Sequence, residues 1–182
     1  MSHLPWRWLA PGSAAGWLLL TSCQVPLVPV PLPLTVEISD ELEPEHADAV
    51  IKAADAWNEA VPGIVKATKT VDRPSHDEGT AFVHYAEFSE DAAAKTILYN
   101  CWGKVQLHRS YSDVSTLDEY IEHEFGHVFG LEHSDDSTSV MYGDGFVGPV
   151  EIQEADATAA SGAMEAHHDL HKRCANAAPI RD

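Results

Sequence analysis

His123-Glu124-Phe125-Gly126-His127-Val128-Phe129-Gly130-Leu131-Glu132-His133 is the stretch from which the rest of the chain is read. His123 and His127 are four residues apart, so on an α-helix they lie about 40° apart and one turn along the same face. Two imidazole nitrogens placed in this way can converge on one metal ion, at about 2.0–2.1 Å each for zinc. His133 cannot join them on a continuous helix, because it would lie about 15 Å along the axis from His123. The chain must therefore leave the helix between His127 and His133, and Gly130 is the residue that takes a positive φ there at little cost. Three neutral histidines leave a fourth zinc position open to water, and Glu124 stands beside the first ligand as the candidate general base. A chance match to these five positions in a chain of this length is on the order of one in ten thousand. An ordinary amphipathic helix with surface histidines needs neither the glycine nor the third histidine.

The full pattern resembles that of the metzincin metallopeptidases. Ser139-Val140-Met141-Tyr142 begins six residues after His133 and supplies the second mark of that clan, a methionine in a tight turn. In the clan this methionine forms an apolar floor beneath the ligands, which makes Met141 the candidate. Ser134, the acidic residues after it and the closing Val-Met-Tyr look most like the matrixin branch. Relatives of the astacin and serralysin type carry a tyrosine two residues after the methionine. Gly143 holds that position here, so no tyrosine ligand is assigned. The resemblance implies a zincin-type α+β catalytic domain, a twisted mixed sheet with about three helices, and zinc held by the active-site helix and the turn after it. The implied activity is zinc-dependent endopeptidase cleavage of polypeptides. A catalytically inactive zinc-binding surface lipoprotein, acting as a binding module, is the alternative from another class. Glu124 argues against it, because a structural site needs no base and closes with a fourth protein ligand.

The sequence around the motif fits this reading. Leu117, Ile121, Phe125 and Val128 recur at helical spacing as a core-facing stripe, with Tyr120, His123 and His127 on a neighbouring face. Thr116 with Glu119, or Ser115 with Asp118, is expected to form a capping box. Upstream, residues 34–38 read as a strand, 45–60 as a helix ended by Pro62-Gly63, and 64–71, 80–88, 97–99 and 104–108 as further strands. A last helix is expected from Pro149 to about Ala160, with Ile152, Ala155, Ala159 and Met164 inward.

The chain has 182 residues and a formal charge of −18. This acidity argues against nucleic acid or an anionic membrane as partner and suits a soluble exported protein, expected to be a monomer. Arg7, the apolar run Ala14 to Leu20 and the tetrapeptide Leu20-Thr21-Ser22-Cys23 read as an export signal. The tetrapeptide resembles a bacterial lipobox, which implies a signal peptide over 1–22, lipidation of Cys23, and location in the cell envelope with the membrane reached only through the lipid. Plain secretion is the alternative. Four prolines between Pro26 and Pro33 make residues 23–33 a semi-rigid spacer, or a segment packed along the domain, with the peptidase domain and its tail over 34–182. Of three cysteines, a lipidated Cys23 leaves Cys101 and Cys174 as an even pair, bridged in an oxidising compartment or else two free thiols.

Matrixins also carry structural zinc and calcium. His76, Asp77, His84 and His108 are the residues on hand for such a zinc, without the family's His-x-Asp spacing. Asp135 and Asp136 offer carboxylates to calcium, with a solvated acidic loop as the alternative. His167, His168 and His171 read as a solvated helix face. No cysteine stands where a latency propeptide would place one, so restraint by export, metal supply or narrow specificity is expected.

Overall fold

The computed structural model describes residues 29–88, 92–111, 113–143, 150–167, 170 and 174. The chain order is β1 (Leu34–Ser39), α1 (Pro44–Ala60), β2 (Val65–Val71), β3 (Thr80–Ala86), β4 (Ala94–Leu98), β5 (Trp102–His108), a 3₁₀ turn (Val114–Thr116), α2 (Leu117–Phe129) and α3 (Glu154–Ala166). The five strands form one sheet in the order β2-β1-β3-β5-β4. β1 pairs in parallel with β2 and β3, and β3 with β5, whereas β4 runs antiparallel to β5 at the edge.

Side chains two apart on a strand share a face. Leu34, Val36 and Ile38 of β1, Ala81 and Val83 of β3, and Val105 and Leu107 of β5 are buried in one core with Val50, Ala53, Ala54 and Trp57 of α1. The same core takes Leu117, Ile121, Phe125 and Val128, the stripe expected from sequence, so α2 is held by its apolar side. Trp57 packs edge-on against Phe129 at 5.0 Å, and its indole N–H donates to the Glu122 carbonyl at 2.9 Å. α1 thereby fixes the height of α2 over the sheet. Away from the helices, the fully buried Glu37 receives the Ser75 N–H at 2.8 Å and lies 3.0 Å from the Lys69 ammonium. This pins the loop between β2 and β3 to the sheet. Burial pushes the Glu37 pKa up, but the Ser75 hydrogen bonds and Lys69 outweigh it and leave the carboxyl below its usual range.

Several boundaries differ from those read in sequence. β4 spans Ala94–Leu98 and β5 begins at Trp102, because the hairpin corner is only the turn closed by Tyr99 N–H to the Trp102 carbonyl at 2.9 Å. Neither capping-box register forms at α2. Thr116 occupies the cap with no side-chain cap bond, its hydroxyl lying 2.8 Å from Tyr111 Oη, and Asp113 instead caps the 3₁₀ turn through Ser115 N. α3 starts at Glu154, five residues after Pro149, which lies outside the described residues; a capping box between Gln153 and Asp156 sets its start. Ile152 and Met164 pack partly buried against the core as expected, but Ala155 and Ala159 are exposed and the buried positions are Asp156 and Ala160. His167 is buried rather than solvated, and His168 and His171 lie outside the described residues. The end of the Pro-rich segment is part of the domain rather than a free spacer, since Val30 and Leu32 are buried in the core. Cys23 and the signal segment lie outside the described residues. Among the described residues, no helix is long and apolar enough to cross a membrane.

Candidate metal centre

α2 presents His123, Glu124 and His127 and ends at Gly130, whose φ of +94° lies in the left-handed region. The end is a Schellman motif: Gly130 N–H donates to the His127 carbonyl at 3.0 Å and Leu131 N–H to the Gly126 carbonyl at 2.9 Å. The chain reverses there and brings His133 back over the helix. His127 Nε2 then lies 3.1 Å from both His123 Nε2 and His133 Nε2. Ligands about 2.0–2.1 Å from a tetrahedral zinc are separated by about 3.3 Å, so the spacing fits one ion.

The other ring nitrogens explain why a cation belongs there. His123 Nδ1 is 2.7 Å from the Val140 carbonyl, and His127 Nδ1 is 2.9 Å from the Leu131 carbonyl. A carbonyl only accepts, so both Nδ1 atoms are donors and the two Nε2 atoms face one another. A shared metal ion would take a lone pair from each. Burial, against the Val140 hydrogen bond and helped by the neighbouring His127 and His133, lowers the His123 pKa to about 4. The ring is therefore neutral and ready to ligate at pH 7.

Glu124 is 9% exposed. Burial raises its pKa, opposed by hydrogen bonding to Thr96 and by the potential of His127 and His133. Thr96 also ties the edge strand to the helix, its hydroxyl donating to the Glu124 carbonyl at 3.0 Å. A cleft of about 480 Å³ opens over the three histidines and Glu124, with Lys95, Thr96 and Leu98 of β4 along its rim. Met141 is 1% exposed and pressed against the helix at Gly126; a Cβ on Gly126 would stand 2.1 Å from the Met141 sulfur.

The other histidines named from sequence are not gathered. His76 packs on Trp102, His84 stacks on Phe82, and His108 meets Phe88 edge-on. Among the described residues, His123, His127 and His133 are the one group of three or more His, Cys, Asp or Glu with ligand atoms close enough to share an ion. Asp136 binds the Thr138 N–H and hydroxyl at 2.9 and 2.8 Å and so shapes the turn leading to Met141. Cys101 and Cys174 are bonded, with Cα atoms 5.7 Å apart. Thr96 and Asp156 support the site without any sequence signal, and Ser139 is legible only as part of the methionine stretch, because each is an ordinary residue until the fold brings it to its partner. Gly126 lies within the motif, at a position where residue spacing alone makes no demand.

The matrixin family model matches residues 53–160, more than half of the chain. A crystal structure of archaemetzincin from Methanopyrus kandleri superposes with a TM-score of 0.53 at 15% identity, covering 72% of this chain and 96% of that one, a likeness of fold. No curated protein matches the chain. The sheet and helices agree with that likeness of fold, and with the family model covering more than half of its length the chain belongs to the matrixin family of zinc metallopeptidases.

Proposed function

We propose that the protein is a zinc-dependent endopeptidase in which Glu124 is the general base. The observation that carries this reading is the shared cleft: three converging Nε2 atoms and the largely buried Glu124 line one open space beside an edge strand. His123, His127 and His133 would hold the metal, and the chemistry it supplies when bound is Lewis-acid polarisation of a carbonyl and acidification of water. Glu124 takes the proton of the attacking water and returns it to the leaving amine. Burial moves its pKa upward, toward the range in which a carboxyl can do both at neutral pH. β4 is the outermost strand of the sheet among the described residues and borders the cleft, so an extended polypeptide would lie along it, and Thr96 keeps that edge in register with Glu124.

The test is Glu124→Ala, which is expected to keep zinc and fold while peptide hydrolysis falls by about 10²–10⁴-fold. His127→Ala should lose the metal. An active Glu124→Ala enzyme would place the base elsewhere, and a zinc-loaded wild type that cleaves no peptide would favour the binding-module reading.

The reading extends to location. Leu20-Thr21-Ser22-Cys23 supports export with lipidation at Cys23, and the Cys101–Cys174 bond suits an oxidising compartment. Mass spectrometry of membrane-extracted protein is expected to find a diacylglyceryl-modified Cys23 at the mature N-terminus. An unmodified N-terminus on protein free in the medium would mean plain secretion.

A further inference from the structure

The segment 139–143 touches two of the three histidines and the helix between them. The Val140 carbonyl orients His123, Met141 fills the space against Gly126, and Gly143 backs His133 so closely that a Cβ there would stand 2.9 Å from the ring's Cγ and Nδ1. His127 is held separately, by the Leu131 carbonyl. One short segment therefore sets His123 and His133 relative to the helix, and what fixes that segment bears on the geometry of the site.

It is fixed from α3. Ser139 is 2% exposed and Asp156 is 6% exposed, and neither touches the cleft. The Ser139 hydroxyl lies 2.9 Å from both Asp156 carboxylate oxygens, and the Met141 N–H donates to Ser139 Oγ at 2.9 Å. The same carboxylate accepts the Gln153 N–H at 2.9 Å, which locks it to the first turn of α3. Beside it, Val140 N–H donates to the Glu151 carbonyl at 2.9 Å and Glu151 N–H to the Thr138 carbonyl at 3.2 Å. The Ser139–Asp156 and Met141–Ser139 bonds are buried, so loss of one partner leaves another unsatisfied and moves the segment rather than freeing it to solvent.

We propose that the buried Ser139–Asp156 pair is a positioning device for the zinc centre, setting ligand geometry through the Val140 carbonyl and the Gly143 backbone while touching neither metal nor substrate. The inference rests on the zinc reading above, but its test reads metal affinity, not peptide cleavage. Zn²⁺ is titrated into the full chain against a chelator of known affinity for wild type, Ser139→Ala, Asp156→Asn, the double variant, and Asn58→Ala. Asn58 caps the turn before β2 through Val65, far along the chain from the ligands, and serves as a destabilised control. Ser139→Ala and Asp156→Asn are expected to weaken zinc about tenfold or more. The double variant should lose no more than the worse single one, because the pair acts as a unit. The visible spectrum of the Co²⁺-substituted Ser139→Ala protein should shift while its circular dichroism matches wild type. Wild-type zinc affinity in both single variants, or a loss no larger than that of Asn58→Ala, would overturn the proposal. A wild type that binds zinc tightly but cleaves nothing would count against the peptidase reading and leave this result standing.

Discussion

Glu122 sits one residue before the first metal ligand but lines a separate cavity of about 540 Å³ with Glu59 and Glu151. Burial, and then the charges of Asp118 and Glu119, raise its pKa to about 7. A carboxyl whose folded pKa is raised binds protons more tightly in the native state. Its contribution to stability is complete below the unfolded pKa and is lost as pH rises from there through about 7. Glu122→Gln should therefore stabilise the protein at pH 8, on the order of 1–2 kcal/mol, less than the full shift because the carboxyl is partly solvated. The gain should vanish near pH 5. Thermal melts of both proteins at the two pH values check this, and an equal gain at both would show that the charge is not the cause. The ligands and Glu124 were legible at this scale because spacing on one helix is local geometry. The lowered pKa of His123 was not, since it depends on burial beneath a loop that the motif does not contain.

At the scale of the element, α2 is both support and ligand carrier, and its end decides the site. A Cβ at Gly130 would have nothing within 4 Å, so a side chain there meets only the cost of a positive φ. Gly130→Ala should cost about 1–2 kcal/mol and, by disfavouring the left-handed turn, displace His133 and weaken zinc binding. Denaturant unfolding of the metal-free protein and zinc competition measure the two effects. Full zinc affinity in Gly130→Ala would mean that the reversal does not depend on glycine. The helix stripe and the first three strands were readable from periodicity. The start of α3 was not, because its capping box uses Gln153 and Asp156, and Asp156 turns inward to Ser139 where an apolar residue was expected.

Over the whole molecule, the Cys101–Cys174 bond joins the β4–β5 hairpin corner to the C-terminal segment across a separation of 73 residues. His167, Leu170 and Cys174 are buried on that path, and Val30 and Leu32 from the other end of the domain are buried in the core. Closure of a loop this long stabilises by about 2–4 kcal/mol, mainly by restricting the unfolded chain. Reduction should lower the melting temperature and expose the segment after Met164 to proteolysis, with the zinc content of α2 unchanged. Peptide mapping without reductant tests the pairing, and recovery of both residues as thiols would refute it.

The sequence by itself determined the three converging histidines, the glutamate beside them, the glycine reversal and the element order. Each depends on residues close in the chain, where the helical period of 3.6 residues and the φ freedom of glycine are enough to reason with. The tertiary structure alone decided which groups hold that site in place. Trp57 sets the height of α2, Thr96 joins the edge strand to it, and Asp156 reaches Ser139 from 17 residues away. These contacts arise only when the apolar faces of sheet and helices are buried together, because hydrogen bonds between residues far apart in sequence are made where packing has already excluded water.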